Sequence, residues 1–442
     1  MKRLRFVVTT APRVAPKFKR DPDALVSFAP MDALLEGLGG LQSLETKSFS
    51  EVASGSYNYF EDGDVLLAKV TPCFENGKKA IARDLENGAG FATSEVLVFR
   101  PHDFGIDARY LRYLFSSEDF RHAAISSMTG AGGLRRVSER AVLDFPLRIT
   151  ELSSQLKIAD FLDRETTRID LLIEKKRRLV ALLGEREEGT FVEHVTGKNL
   201  PHEKKHSGVE WIGEIPSHWF APKFTHVARQ ETGHTPSRKV DDFWLPEDCI
   251  VPWVSLSDVW QLRDGGKIFV SETSEKISEI GMENSAARLL PKDTVILSRT
   301  ASVGFPAILT IPMATTQDFA AWICSNRIRP LFLYYVLRAM KPEFRRLMMG
   351  STHQTIYMPD IRSFRTPLPP LEEQDRITAR LSATIRIFRQ SSIALTMSID
   401  RLMEYRSALI TAAVTGQIDV ETHTKSGTTD RRLEAIQEDM EA

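Results

Sequence analysis

The chain contains an internal repeat of about 220 residues, which constrains its fold more than any other feature. Two proline-led segments, PLRITELSSQLKI from Pro146 and PLPPLEEQDRI from Pro367, each introduce an apolar-periodic stretch. Within them, Gln155 and Gln374 stand 219 positions apart, and the same spacing relates two VTG triplets further along. The repeat predicts two halves, each consisting of a mixed domain followed by one long helix.

The spacing between matching residues changes upstream of the helical stretches. It is 221 for the proline pair, 222 between FATSE from Phe91 and MATTQ from Met313, and 229 between Asp64 of GDVLLAK and Asp293 of KDTVILSR. Short apolar runs separated by Gly, Asn and Pro turns are typical of strands. The predicted fold class is mixed α+β, with two pseudo-repeated globular domains joined by two long helices.

These patterns predict six segments along the chain. They are a first globular domain at 1–150, a central helix at 151–197, a linker at 198–220, a second globular domain at 221–370, a distal helix at 371–417 and a flexible charged tail at 418–442. The linker is polar and rich in Gly and Pro, and the tail lies beyond the repeat.

Both predicted helices carry apolar residues at heptad spacing. Such narrow stripes on charged helices are typical of a coiled-coil seam, although Glu165 and Lys176 interrupt the first stripe. We expect the two helices, each roughly 60 Å long, to form an antiparallel coiled coil. The alternative is that each helix packs only on its own domain. The predicted seam residues are Ile158, Leu162, Ile169, Leu172, Leu179, Leu183, Leu381, Phe388, Leu395, Leu402 and Leu409.

No credible catalytic constellation occurs in the sequence. The HEKKH segment, His202 to His206, fits the HExxH zinc pattern, but it lies in the linker without an apolar face to bury a metal. There is no GxxxxGK[ST] phosphate loop, no Asn-Pro-Pro-Tyr type motif and no CxxC pair. We therefore expect a noncatalytic chain that holds no metal. Without an evident signal peptide or membrane span, we also expect it to be cytoplasmic.

A duplicated chain of this kind suggests a recognition device, and its loops could read DNA. The formal charge is only −1, so attraction to phosphates would require basic residues gathered on one face. Lys69 and Arg299 close the same predicted strand in both halves, and TGAGGL from Thr129 predicts a flexible surface loop. The candidate DNA-binding residues are Lys69, Thr71, Lys78, Lys79, Ser94, Arg135 and Arg136 in the first domain, and Arg299, Thr300, Ser302, Thr316, Gln317, His353, Gln354 and Tyr357 in the second.

The chain resembles the specificity subunits of type I restriction-modification enzymes. The resemblance rests on GDVLLAKV and DTVILSRT in the domains, on IADFLDRETTRIDLLIEKKRRLVALL in the central helix, and on GVEWIGEIPSHW and PLPPLEEQDRI before the second domain and the distal helix. It covers nearly the whole chain. In this family a GVEWIGEIPSHW-like segment often precedes the first domain too, whereas this chain begins almost directly at KRLRF, which matches the region after Trp219.

The resemblance implies that each globular domain is a target recognition domain, which reads one half of a bipartite double-stranded DNA site. The coiled coil would set the spacing between the halves and dock two adenine-N6 methyltransferase subunits. Restriction and translocase subunits would complete a complex for phage defence. S-adenosylmethionine, ATP and Mg²⁺ would belong to those partners, and this chain would hold no cofactor.

Two other classes of protein remain open. One is a coiled-coil scaffold whose two domains bind proteins, and the other is a standalone nuclease, against which the absence of an acid-cluster motif argues. Binding to duplex DNA that weakens steeply with salt distinguishes the DNA reader from the scaffold, because phosphate contacts release counterions.

Overall fold

The structure is a computed structural model that describes residues 2–37, 40–131, 133–265, 267–348 and 354–438. The chain divides into two compact units. The first unit comprises Met1–Arg178 and Ala394–Ala442, and the second comprises Leu179–Ile393. Among the helices in the described ranges, none is both long enough and apolar enough to cross a membrane.

The strands are short, and most of them belong to two similar sets of sheets. The described residues form β1 (Lys2–Arg3), β2 (Val8–Thr10), β3 (Leu25–Ala29), β4 (Glu45–Ser48), β5 (Asn58–Glu61), β6 (Val65–Ala68), β7 (Lys79–Ile81), β8 (Ala89–Ala92), β9 (Val96–Pro101), β10 (Thr129–Ala131), β11 (Leu134–Arg136), β12 (Pro146–Leu147), β13 (Lys204–His206), β14 (Glu214–Pro216), β15 (Ala228–Thr232), β16 (Cys249–Val254), β17 (Phe269–Val270), β18 (Glu275–Ser278), β19 (Val295–Ser298), β20 (Pro306–Leu309), β21 (Ala314–Thr315) and β22 (Phe319–Cys324).

The helices include two that are far longer than the rest. They are α1 (Pro16–Arg20), α2 (Phe49–Ala53), α3 (Ala108–Leu114), α4 (Glu118–Ser126), α5 (Glu139–Asp144), α6 (Leu152–Val195), α7 (Glu279–Glu283), α8 (Pro330–Ala339), α9 (Lys341–Met348), α10 (Met358–Ser363), α11 (Leu371–Thr415), α12 (Val420–Lys425) and α13 (Thr428–Glu438). The boundary between the two units falls inside α6 and inside α11.

In the described part of the first unit, the core is built on two four-stranded sheets. Their strand orders are β2-β9-β6-β7 and β4-β3-β8-β5, and β3 pairs with β8 in parallel. All four residues of β6 are buried, as a central strand covered on both faces requires. Gly90 on β8 is needed for packing, because a Cβ there would lie 2.6 Å from the ring of Phe60.

The second unit repeats this topology within its described residues. Its five-stranded sheet has the order β15-β22-β19-β20-β17, of which the first four strands match β2-β9-β6-β7. A three-stranded sheet, β18-β16-β21, matches β4-β3-β8 and again contains one parallel pair. The predicted fold class, two similar mixed domains with two long helices, is confirmed.

The structure corrects one part of the predicted alignment between the halves. Phe91 of FATSE was matched to Met313 of MATTQ, but Thr93 N–H donates to Ala29 O and Thr316 N–H donates to Val254 O at the equivalent point of the parallel pair. The true spacing is therefore one residue larger, 223. The error arose because an ungapped comparison of short, similar segments does not detect a shift of one residue.

The first turn of each long helix contains a buried glutamine that hydrogen-bonds to the domain before it. Gln155 Oε1 accepts from Asp107 N–H at 3.0 Å, and its Nε2 donates to the carbonyls of Gly105 and Thr150. Gln374 repeats this arrangement, as its Oε1 accepts from Arg329 N–H at 2.8 Å and its Nε2 donates to two backbone carbonyls. The repeated glutamine therefore fixes the start of a long helix against its own domain in both halves.

Parts of α6 and α11 pack antiparallel within each unit. In the first unit Arg406 pairs with Asp170, while Arg177 lies beside Met403, so the residue numbers run in opposite directions. In the second unit, Phe191 belongs to the same apolar core as Leu381. The helices also pack on the domains, because the core of the first unit joins the helix stripes to α3 and α4. Helix pairing and docking on a domain, which were alternatives, therefore occur together.

The predicted seam holds in part. Leu162, Ile169, Leu381, Leu395, Leu402 and Leu409 are buried, whereas Ile158, Leu172, Leu183 and Phe388 are half-buried. Leu179 is 49% exposed, so its assignment to the seam was wrong. Heptad spacing placed Leu179 in a column with Ile158 and Leu172, but a straight helix drifts away from a heptad repeat, so a column of residues gradually rotates off the contact face.

The described part of the tail does not form the flexible segment that was predicted. Residues Val420–Lys425 and Thr428–Glu438 form α12 and α13, and Leu433 and Ile436 are buried in the core of the first unit. Charge dominates the tail composition and suggested disorder, but apolar residues at helical spacing provide one face that the core covers.

The segment His202–His206 ends in strand β13, so its histidines lack the helical spacing of a HExxH site.

Candidate nucleic-acid interface

Three segments of the first unit meet at the end of β6. Lys69 N–H donates to Glu95 O at 2.9 Å, and Val137 N–H donates to Lys69 O at 2.8 Å. Thr71 N–H donates to Arg135 O at 2.9 Å, which holds the β10–β11 hairpin beside the strand. TGAGGL, predicted as a flexible loop, supplies most of the described residues of this hairpin. We refer to Lys69, Ser94, Glu95, Arg135 and Arg136 as the first loop cluster.

Ion pairs orient the two arginines of the first loop cluster. Arg136 donates from Nε and Nη2 to the carboxylate of Glu95, with the closest contact 2.7 Å, and Arg135 lies 3.2 Å from Glu75. The hydrogen bond from Arg136 lowers the pKa of Glu95. A guanidinium has five N–H donors, so Arg136 retains donors for a further acceptor. Both arginine side chains remain nearly half exposed, at 49% for Arg135 and 44% for Arg136.

The second unit contains the same backbone junction. Arg299 N–H donates to Asp318 O at 2.8 Å, and Ile356 N–H donates to Arg299 O at 2.9 Å. Ala301 N–H donates to Gln354 O at 2.9 Å, as Thr71 N–H does to Arg135 O in the first unit. We refer to Arg299, Gln317, Gln354 and Tyr357 as the second loop cluster.

The side chains of the second loop cluster differ from those of the first. Arg299 donates through Nε to Gln317 O at 2.9 Å and through Nη1 to Ile356 O at 3.4 Å, so it holds two loops together. Gln317 Oε1 accepts from the Thr235 hydroxyl at 2.8 Å, which leaves its amide N–H₂ as a donor. Gln354 and Tyr357 are exposed beside it. This cluster presents mainly neutral hydrogen-bonding groups.

Several predicted DNA-binding residues do not face solvent. Lys79 is 3% exposed, because adjacent residues at the start of a strand point to opposite faces and Lys79 points inward. Thr71 is buried and hydrogen-bonded to Gly133 O and Arg135 N–H, and Thr316 is buried and donates to Asp318. Assigning these three residues to direct contact was therefore wrong, since their side chains support the loops instead.

The other predicted residues have varied surroundings. Lys78 is half-buried and donates to Met31 O, whereas Ser94 is exposed in the first loop cluster. Thr300 and Ser302 are half-buried beside Arg299. His353 lies outside the described residues.

Some residues near the loop clusters were not predicted. Glu75 and Glu95 were missed because an ionised carboxylate offers DNA no hydrogen-bond donor, so only basic, amide and hydroxyl residues were candidates. Arg263 donates to Ser302 Oγ at 3.2 Å from the 3₁₀ helix Leu256–Gly265, and Trp260, three residues earlier, is 68% exposed. Residues three apart lie on the same face of a 3₁₀ helix, so the spacing of Trp260 and Arg263 would have been the available signal.

The chemistry of both clusters suits hydrogen bonding to a ligand. Arginine donates to guanine edges or phosphates, glutamine pairs with adenine, and serine and tyrosine hydroxyls can donate or accept. Within the described ranges, no group of three or more His, Cys, Asp or Glu side chains is arranged to hold a metal ion.

Comparison with known proteins supports the resemblance seen in the sequence. Residues 219–396 match the family model for the type I restriction modification DNA specificity domain. The type I restriction enzyme EcoAI specificity subunit of Escherichia coli is 37% identical over 154 residues, which are 34% of this chain and 26% of that protein. A putative type I restriction enzyme MjaX specificity subunit of Methanocaldococcus jannaschii is 24% identical over 408 residues, covering 86% of this chain and 87% of that one.

The matches to the first two Escherichia coli relatives span only about a quarter of those proteins, at 26% and 23%. The fold itself is shared over nearly the whole chain. The HsdS subunit from Thermoanaerobacter tengcongensis aligns with a TM-score of 0.56 at 19% identity, covering 94% of this chain and 96% of that one. A chain from a study of complex assembly and conformational transition of the type I R-M system aligns with a TM-score of 0.71, also at 19% identity, covering 94% and 97%.

Proposed function

From the resemblance to type I specificity subunits and from the two loop clusters, we propose that this chain is the noncatalytic DNA sequence-recognition subunit of a type I restriction-modification complex. Each loop cluster reads one half of a bipartite duplex site. The observation that carries this proposal is the repeated backbone junction with different side chains. Arg135 and Arg136 occupy the frame in the first unit, whereas Gln354 and Thr355 occupy the equivalent positions in the second, with Tyr357 exposed two residues further on.

A duplicated frame with exchanged side chains suits the reading of two different half-sites. The shared hydrogen bonds hold the loops in the same place, while the exposed groups decide which base edges they fit. Two guanidinium groups favour guanine edges, whereas amides favour adenine. A scaffold that bound the same protein at both domains would be expected to repeat the side chains as well as the frame.

The proposal includes the partners that the resemblance implies. Two methyltransferase subunits dock on the long helices, restriction and translocase subunits complete the complex, and the helices set the spacing of the half-sites. S-adenosylmethionine, ATP and Mg²⁺ act in those partner subunits, and the complex works in the cytoplasm, where its DNA lies.

Mapping DNA methylation tests this function. The full chain is expressed with its methyltransferase subunit in cells that lack adenine methylation, and modified adenines are located across the genome. The expected result is a split sequence motif modified on both strands, and omitting this chain should abolish it. A stable complex that leaves the genome unmodified would refute the proposal and favour the protein-binding scaffold.

A further inference from the structure

A cavity in the first unit contains positive charge that the proposed DNA contacts do not use. Its volume is about 1380 Å³, and its lining includes residues of α3, α4, α6 and α11 as well as the loop before β7. Its described lining carries more cationic than acidic side chains: the cations are Lys79, Arg83, Arg109, Arg112, Arg121, Arg177 and Arg406, and the carboxylates are Glu36, Asp84, Asp163, Asp170 and Glu174. A cavity of this size can hold a small ligand.

Lys79 is buried in this cavity, and no carboxylate of the described residues pairs with it. Its Nζ donates to Gly77 O at 3.2 Å, and an ammonium group has two further donors. Burial and the charges of Arg121, Arg406 and Arg112 lower the pKa of Lys79 to about 7. A buried lysine close to three arginines costs stability unless an anion offsets the charge.

The nearby arginines are only partly neutralised. Arg112 pairs with Asp163 at 3.0 Å, and Arg406 pairs with Asp170 at 2.8 Å. Arg121, in contrast, donates from Nη2 to the backbone carbonyl of Glu75, which carries no charge. Arg112 Nε is buried and has no hydrogen-bond partner within the described part of the chain. Among the described residues, neither Lys79 nor Arg121 forms an ion pair with any of the carboxylates of the lining, so both remain available to a bound anion.

Two glycines leave space between these cations. A Cβ at Gly77 would lie 3.5 Å from Lys79 Nζ and 3.8 Å from Arg121 Nη1, and a Cβ at Gly37 would lie 3.9 Å from Arg406 Nη2. The backbone nitrogen of Gly37 would also lie 3.9 Å from a Cβ at Gly77, so the two glycines face the same space. Both glycines have positive φ, at 67° and 73°, a conformation that other residues rarely adopt. The cations and the open backbone therefore converge on one small volume.

We propose that this cavity binds a small phosphate-bearing molecule, with Lys79, Arg121 and Arg406 donating to its phosphoryl oxygens. Arginine and lysine are the usual partners of phosphate in proteins, because their hydrogen bonds to it are charge-assisted. A duplex presents its phosphates on a convex surface, whereas Lys79 lies recessed and only 3% exposed. This site shares no residue with the first loop cluster, although Glu75 accepts from Arg121 through its carbonyl and pairs with Arg135 through its side chain. The proposal does not depend on the DNA-reading function.

Binding of inorganic pyrophosphate to the full chain tests the proposal. Calorimetry should detect one site per chain, and pyrophosphate should raise the melting temperature more than sodium chloride does at the same ionic strength. Lys79→Met and Arg121→Gln should each weaken binding about tenfold or more, since each removes a charge-assisted contact. Lys19→Met and Arg20→Gln, which alter exposed residues outside the cavity, should leave binding unchanged.

The remaining outcomes also decide the question. Equal stabilisation by chloride, or full binding by both cavity variants, would overturn the proposal. If Lys79→Met does not fold, Arg121→Gln alone carries the test, because its side chain is only half-buried. If adenosine triphosphate competes with pyrophosphate for binding, the result supports a small ligand that the cavity recognises through its phosphates. Competition by duplex DNA without terminal phosphates would instead assign the cavity to the DNA backbone and refute the proposal.

Discussion

Arg136 and Glu95 form a two-pronged ion pair between the β10–β11 hairpin and the turn that joins β8 to β9. Arg136 Nε and Nη2 lie 2.9 and 2.7 Å from the two carboxylate oxygens. Two parallel hydrogen bonds fix the plane of the guanidinium. Glu95 therefore fixes the direction of the remaining N–H donors of Arg136, although its own carboxylate has no hydrogen-bond donor to offer DNA.

Glu95→Gln should separate affinity from specificity. The variant should bind nonspecific duplex more tightly, because the charge of Arg136 is no longer offset, and its salt dependence should steepen. Discrimination at one half-site should fall roughly tenfold, since the guanidinium loses its fixed orientation. Titrations of specific and mutated duplexes at several salt concentrations measure both effects. Glu139→Gln, at an exposed site on α5, is the control, and unchanged discrimination in Glu95→Gln would contradict this role.

Arg299→Ala should weaken recognition of one half-site only. Its side chain ties the loops of Gln317 and Ile356 together, so its loss should misplace the amide groups of the second loop cluster. We expect a loss of about 1–3 kcal/mol in binding to the matching duplex. Duplexes with one half-site scrambled at a time locate the effect. Arg365→Ala is a matched control, because Arg365 also donates to a backbone carbonyl in the same unit. Equal losses at both halves would rule out two independent readers.

Gln374→Ala should destabilise the second unit. The change removes three hydrogen bonds at the start of α11 and leaves the buried Pro369 O and two part-buried backbone groups without these partners. Each such group costs about 1–3 kcal/mol, so the free energy of unfolding should fall by at least that amount. Urea denaturation measures the change. Gln390→Ala removes an exposed glutamine from the same helix and should have little effect. Similar stability of the two variants would show that the glutamine is dispensable.

Lys79 should make stability depend on pH. Its pKa is about 7 in the folded chain and near 10.5 when unfolded, so between these values the unfolded chain binds a proton that the folded chain does not. Stability from this group therefore rises with pH from about 7 to 10.5 and is at its lowest below pH 7. Lys79→Met should lack this rise, although Arg112, Arg121 and Arg406 still face the position.

Denaturation of both proteins at pH 6 and pH 9.5 measures the effect. The stability of Lys79→Met relative to the unaltered chain should be higher at pH 6 than at pH 9.5. Lys19→Met, an exposed lysine substitution, should show no such change with pH. A constant difference for Lys79→Met would mean that Lys79 keeps its ordinary pKa.

Leu433→Ala should destabilise the first unit, although the residue lies near the end of the chain. Leu433 is 3% exposed in a core that also contains Phe161 and Ile399. Removing a buried leucine side chain costs about 2–5 kcal/mol. Thermal unfolding should show this loss, while Glu434→Ala, at an exposed neighbouring position, should be close to neutral. If both variants melt together, α13 contributes no packing energy.

The parts of the fold that depend on periodicity were predictable. The repeat identified both long helices and their first turns, which contain Gln155 and Gln374. Each glutamine makes three hydrogen bonds to the backbone, so the same residue type recurs at a fixed spacing in both halves. The burial of Lys79 could not be predicted, since two adjacent lysines look alike until the strand assigns them to opposite faces. The acidic partner Glu95 was missed for a related reason: an ion pair between distant segments depends on the folded loops.

The helices of the tail pack in the same unit as the beginning of the chain. Because the first unit combines residues up to Arg178 with residues from Ala394 onward, its core contains Leu433 and Ile436 beside Phe161. During synthesis the ribosome produces the N-terminal domain long before these last helices emerge. The first unit therefore cannot complete its core until the residues from Ala394 onward have been made, so a chain that stops before them would lack part of the domain that was made first.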